Sequence, residues 1–389
     1  MKTQEITETE FRPLTDNVEL LKKIARLLAG NINKIDDLSL TTGQAGFALF
    51  LNFYAKDESD DASKETGQLL LVSLYQQIVK SNIKAITDLL PGIGWMFAFL
   101  SNQNIIEIKQ DEILKGIDSV ILQHIHYQFS RTLNSGGVLS KGSYLLERYK
   151  GANDELKKIQ IIEGIASIVD ELQFNYSKVI LNKVFIGTGN NNPDRVATIT
   201  KISNLSKVIY FLNQVYQLKI YNHAVGKLTI NCSNELVCLL KSVEPVSTGV
   251  NDTKEFSVLI NAIHALRGNK TGHDIASLTN WLIKLLKQCE RYITTLETSP
   301  YTGDLLISVK LLQRMKDDYP GLDQNIQLLA DKLSAIIVSS ANQHKPGYIN
   351  CPVGIPNLGI NEGVSGVGLL LFEQLKQEPI PWLDILLLH

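Results

Sequence analysis

The residues able to do chemistry are few and scattered. Four cysteines, Cys232, Cys238, Cys289 and Cys351, occur without a CxxC pair, so the sequence spells neither a zinc knuckle nor a redox dithiol. In a chain this long they are expected as free thiols of a reducing cytoplasm. Cys232 and Cys238 stand six apart on one helical pattern, which does not point both thiols at one metal, and both are expected in the core. The pair His124-x-His126 is separated by two on a helix, so its rings diverge. The stretch Gly187-Thr-Gly-Asn-Asn-Asn-Pro193 lacks the strand, helix and downstream acid of a dinucleotide fingerprint. No GxSxG elbow and no P-loop lysine occur. Carboxylates for acid–base work on a glycosidic bond could be drawn from Asp88, Asp304 and Glu362. Each stands at a helix start, where the helix dipole favours an acid in any case.

The elements that would position such residues are helices. Val18, Leu20, Leu21, Ile24, Leu27 and Leu28 share a 3.6 period, which predicts a helix over 17–32 capped near Thr15 or Asp16. A glycine-led stretch follows, Leu40-Thr-Thr-Gly-Gln-Ala-Gly-Phe-Ala-Leu-Phe-Leu51, with Thr41 or Thr42 as cap and Phe47, Phe50, Leu51 and Tyr54 on one face. The same grammar returns in Leu89-Leu-Pro-Gly-Ile-Gly-Trp-Met-Phe-Ala-Phe-Leu100 and in Gly359-Ile-Asn-Glu-Gly-Val-Ser-Gly-Val-Gly-Leu-Leu-Leu-Phe-Glu373. Fainter copies stand at Gly136–Gly142, where Ser140 and Lys141 replace a glycine and an aliphatic, and at Gly303–Ile307.

Longer amphipathic helices are predicted between these units. They cover about 110–133, 154–174, a stretch from near Ser203 to Tyr216, 235–241, 256–266, 275–296 and 325–339. Lys56–Ser63 reads as a charged linker, and Val184–Asp194 as a short extended piece ending in a loop of turn formers. The fold class expected is all-α, with glycine-initiated apolar helices alternating with amphipathic ones and the first two units roughly 40–50 residues apart. Helix pairs that cannot bury themselves alone must stack. The periodicity fits two arrangements, a closed two-layer α/α barrel or an open α-solenoid.

The bulk properties exclude more than they identify. With 389 residues, 44% hydrophobic and 20% charged, the composition is that of an ordinary globular chain. The 38 basic and 40 acidic residues leave a formal charge of −2, which gives no electrostatic case for nucleic acid or an anionic membrane. The polar, acidic Met1–Phe11 has no apolar signal core, and no apolar run approaches the ~20 residues that span a bilayer. Cytoplasmic localisation is therefore expected.

Taken in order, the motifs resemble those of the lanthionine synthetase C-like (LanC-like) family. Asn31-Ile-Asn-Lys-Ile-Asp-Asp-Leu-Ser-Leu-Thr-Thr-Gly-Gln-Ala-Gly46 is similar to its first repeat, and Gly92-Ile-Gly-Trp95 to its second. Gly303-Asp-Leu-Leu-Ile307 is similar to the fifth, Asn361-Glu-Gly-Val-Ser-Gly-Val-Gly368 to the closing repeat, and Pro381-Trp-Leu-Asp-Ile-Leu-Leu-Leu388 to the tail. The resemblance spans the chain in register, with little of it in the middle third. It implies a single domain over 1–389, an α/α toroid of about six to seven helical hairpins with glycine-started inner helices. It also implies a zinc ion, held by three protein ligands, that activates a cysteine thiol of a dehydrated precursor peptide. That thiol adds to dehydroalanine or dehydrobutyrine.

The chain departs from the family at those ligands. Tyr301 stands where the first thiolate would precede Gly303-Asp304, and no Cys-His-Gly occurs. Cys351 keeps about the right distance for one thiolate, as a possible relic ligand, but Pro352 replaces the adjacent histidine. Ser203-Asn204 replaces the fourth-repeat His-Gly. A set rebuilt from Cys351, His344 on the same loop, and His273 in Thr271-Gly-His-Asp would need all three to converge. Zinc held by one thiolate would not compete in a cell. Asp304 remains as the candidate catalytic residue. The expected function is thus a LanC-like protein without a complete zinc site, and without a cofactor, that binds a precursor peptide or docks a dehydratase. Two alternatives stand beside it: an active zinc-dependent cyclase with a rearranged site, and a carbohydrate-acting or structural α/α barrel.

Overall fold

The structure is a computed structural model that describes residues 12–58, 60–80, 86–127, 137–175, 193–243, 253–267, 279–287, 303–316, 319, 321–342, 359–361, 363–376 and 382. Among them every regular element is a helix. In chain order they are α1 (Arg12–Asn31), a 3-10 turn (Ile32–Lys34), α2 (Gln44–Glu58), α3 (Asp61–Lys80), α4 (Leu90–Asn102), α5 (Gln110–Ile113) and α6 (Lys115–Tyr127). Then come α7 (Val138–Gly151), α8 (Glu155–Phe174), α9 (Pro193–Gln217), α10 (Asn222–Ser242), α11 (Thr253–Arg267), α12 (Gly303–Met315), α13 (Asp323–Asn342) and α14 (Val364–Lys376). A further helical segment covers 279–287.

Two kinds of helix alternate, as the sequence predicts. Leu90 to Leu100 of α4, Val138 to Arg148 of α7 and Val364 to Glu373 of α14 are buried without a break. A helix apolar all round has to be enclosed on all sides. The helices between them keep one wet face, such as α8, which buries Ile161, Ile165, Ile168 and Leu172 and leaves Leu156 and Phe174 exposed. One apolar core runs from Leu20 to Trp382. Along it α2 packs on α4, α4 on α7, α7 on α9, α9 on α11, α11 on α12 and α12 on α14. The C-terminal helix α14 in turn packs on α1 and α2. The amphipathic α3, α8, α10 and α13 lie against α2, α7, α9 and α12.

Several boundaries differ from the sequence reading. Helix α1 starts at Arg12, ahead of Thr15 and Asp16, so neither caps it. The linker over 56–63 shrinks because α2 continues through Glu58 and α3 begins at Asp61. The helix predicted over 110–133 is broken at Leu114, which sits at φ −90 and ψ 0 between α5 and α6. Helix α9 begins at Pro193, ten residues before Ser203, and proline is well placed to open a helix because its missing N–H has no helical partner there. Helix α8 fits its reading: the Asp154 carboxylate accepts from the backbone N–H of Leu156 at 2.8 Å and Lys157 at 3.3 Å. Cys232 is buried as expected, but Cys238 is exposed, because six residues turn a helix by about 240°. Of the extended piece and loop read over 184–194, residues 184–192 lie outside the described residues, and Pro193 and Asp194 open α9 instead of ending a loop.

Candidate functional site

Three glycine-led helix starts meet at one place. The loop before α14 lies against the loop before α2, with the Asn361 N–H donating to the Thr41 carbonyl at 3.1 Å. A Cβ on Gly359 would strike the Thr41 carbonyl, and one on Gly303, the first residue of α12, would strike the Asn361 carbonyl. These glycines are required by the close approach of backbone to backbone. The loop entering α2 is organised by Asp37, whose carboxylate accepts from Ser39 N at 2.8 Å, Ser39 Oγ at 2.9 Å and Thr42 Oγ1 at 2.6 Å. Thr42 is thus held by Asp37 in this turn, where the sequence suggested a cap. Gln44 donates to the Ile35 carbonyl at 2.6 Å, while its Oε1 is buried with no hydrogen bond.

Asp304 stands at this junction, half-buried in the first turn of α12, and its backbone carbonyl accepts from Ser308 Oγ at 2.7 Å. Cys351, His344, His273 and Tyr301 lie outside the described residues, as does Glu362. Asp88 is exposed, beside the half-buried His124 and the buried Lys141. Burial lowers the pKa of Lys141, with the Asp88 charge opposing it, and burial with the Lys141 charge lowers that of His124. Among the described residues no three of His, Cys, Asp and Glu are grouped closely enough to hold a metal ion. The acid and the thiol that the sequence keeps from the family's motifs, Asp304 and Cys351, are two donors where a zinc site of this kind takes three.

The groups that sequence reasoning missed are buried charges on the apolar helices. Asp118 of α6 and Arg148 of α7 are both fully enclosed, with Arg148 Nε at 3.2 Å and Nη2 at 3.1 Å from the two carboxylate oxygens. Tyr144 donates to Asp118 Oδ1 at 2.5 Å, and Arg148 also reaches Asp111 Oδ1 at 2.9 Å and Gln110 Oε1 at 3.2 Å. Burial acts against the arginine's charge, yet its bonds to Asp118 and that carboxylate's charge hold its pKa above the usual range. Burial, then the Asp118 charge, push the Tyr144 hydroxyl well above its ordinary value. A second buried pair joins Lys310 of α12 to Glu373 of α14.

On α9, Lys207 stands one helical turn beyond Ser203. Solvent still reaches part of it although protein surrounds it closely, and burial with the Lys254 charge lowers its pKa to about 8. A helix read from its apolar stripe gave no hint of an amine so placed. The only available signal was a lysine one turn below the position aligned with a family motif.

Compared with known proteins, the chain matches no family model, and no curated protein matches it either.

Proposed function

We propose that this chain is a LanC-like protein whose helices close into a two-layer ring, and that it holds a precursor peptide of a ribosomal-peptide modification system without a complete zinc site of its own. The observation that carries the reading is a repeated contact. Gly94 of α4 leaves room for the Tyr144 ring of α7, since a Cβ would lie 2.6 Å from it. Gly142 of α7 does the same for Phe211 of α9, at 2.5 Å. Gly368 of α14 receives Phe50 of α2 in the same way. Tyr144 stands two residues after Gly142 on its own helix, so one helix receives a ring and passes the next one on. The last of these contacts joins the C-terminal helix to the second, as a ring of repeats with α2, α4, α7, α9, α11, α12 and α14 inside would require. An open solenoid would leave α14 and α2 as two separate ends.

The chemistry follows from what the sequence keeps of the family's motifs. A thiol must lose its proton before it adds to a dehydrated residue, and the family uses a metal to draw that proton off. One carboxylate at Asp304 and one thiolate at Cys351 are too few donors, so the ring is read as holding the dehydrated peptide or its dehydratase while another protein closes the thioether. Elemental analysis of the purified chain tests this reading. The expected result is far less than one zinc per chain. Near-stoichiometric zinc that disappears in Cys351→Ala would overturn it in favour of a rearranged cyclase.

A further inference from the structure

A groove runs along the outer helix α1 where it meets the start of α14. Its floor is Leu20, Ile24 and Leu27 of α1 with Val364 of α14, and Asn31 closes one end. It holds about 400 Å³. On a helix turning about 100° per residue, Leu20, Ile24, Leu27 and Asn31 form one stripe, and Lys23 and Arg26 both fall on the side of it away from α14. The groove therefore has an apolar floor, one apolar wall and one cationic rim. Among the described residues neither Lys23 nor Arg26 is in an ion pair; Glu19 falls between them on the same side of the helix but is turned to Lys22 at 3.4 Å, which leaves this rim with an excess of positive charge.

We propose that this groove docks an acidic amphipathic segment of a peptide, with aliphatic side chains on the floor and carboxylates against Lys23 and Arg26. Leu20 to Asn31 spans about 16 Å, which matches two to three turns of a bound helix using i, i+3, i+4 and i+7 anchors. The cations lie on one rim only, so the occupant carries its acids on one side of its apolar stripe. The polar end at Asn31 and the open course of the groove suit a peptide rather than a single acyl chain, which needs a closed apolar slot. Val364 follows directly on the Asn361–Thr41 junction, so a segment docked here emerges beside the gathered helix starts. The proposal deepens the peptide-holding reading by giving the peptide a second, outer contact. A designed peptide tests it, so the groove can fail while precursor binding survives, and the reverse.

The experiment is fluorescence anisotropy with the full chain and a labelled helical peptide bearing Leu at i, i+3, i+4 and i+7 and Glu beside them. The control is the same peptide with Lys in place of Glu. The acidic peptide is expected to bind at least tenfold more tightly than the control. Its binding should weaken at about 1 M salt, where the Debye length shrinks to about 3 Å. The doubly reversed K23E/R26E chain should lose at least tenfold in affinity, and Leu27→Asp should lose binding while both keep the helical content and melting behaviour of the parent. Equal binding of the two peptides, or unchanged affinity in K23E/R26E, would overturn the proposal. So would capture by phosphatidylserine vesicles with no binding of the acidic peptide, which would make the surface a membrane contact.

Discussion

Two regions of the molecule hold helices together by opposite means. Around α4 to α8 the fastening is charge taken out of water: Asp118, Arg148 and Tyr144 bind one another inside an apolar pile, with the half-buried Asp111 reaching Arg148 from its edge. Where α2, α12 and α14 begin, backbone meets backbone, permitted by Gly303 and Gly359 and closed by the bond from Asn361 to Thr41, and only further along do Lys310 of α12 and Glu373 of α14 pair. A buried bidentate pair fixes one arrangement because every alternative leaves a charge uncompensated. Glycine contacts fix only distance. The first region behaves as a pinned frame, and the second is a seam where apolar helix starts gather.

The largest expected effect falls on the pinned side. Arg148→Met takes the guanidinium from the fully buried Asp118, leaving Lys157 at 3.4 Å as the cation beside it, and should cost about 3 kcal/mol in denaturant unfolding, far more than Lys158→Met in a surface pair. If the two cost the same, the pin is not what holds that region. At the seam, Gly368→Val pushes a side chain into the Phe50 ring, and Gly142→Val pushes one into Phe211. Both should cost about 2–3 kcal/mol, in equal measure if the α14–α2 junction is built like the α7–α9 junction. A neutral Gly368→Val would separate the two junctions.

The smallest effect is one of pH. With a folded pKa of about 8, below its ordinary 10.5, Lys207 is protonated more readily in the unfolded chain, so stability is full above 10.5 and is lost as pH falls from there toward 8. Lys207→Met should abolish that slope. An unchanged slope between pH 8 and 10.5 would show that the amine is not held as described.

The helices were legible in the sequence because their signals are local. The amphipathic pattern over 154–174 becomes α8, with Asp154 capping it, and the glycine-to-apolar stretches become α2, α4 and α14. Boundaries that depend on distant packing were not legible. Leu114 breaks a continuous apolar period while Arg148 and Asp111 bind the two sides of the break to α7 and to Asn153, whose N–H lies 3.2 Å from Asp111. Lys56 to Ser63 looked like a linker because its charges match solvent equally well on a helix face. At the junction of α2, α12 and α14 the glycines could be named from spacing, because close backbone approach leaves a residue-type signature. Lys207, Asp118 and Lys310 could not, since an ionisable residue inside an apolar helix is indistinguishable in sequence from one on its wet face.

The central claim is that the scaffold keeps a peptide while the thiol chemistry is gone. The most direct measurement incubates the chain, with zinc added, with a dehydrated peptide carrying one free cysteine, and counts thiols in the bound fraction by alkylation and mass spectrometry. The expected result is a complex in which every thiol is still alkylated. A bound peptide that loses its free thiol without change of mass, dependent on added zinc, would contradict the claim and make the chain a cyclase.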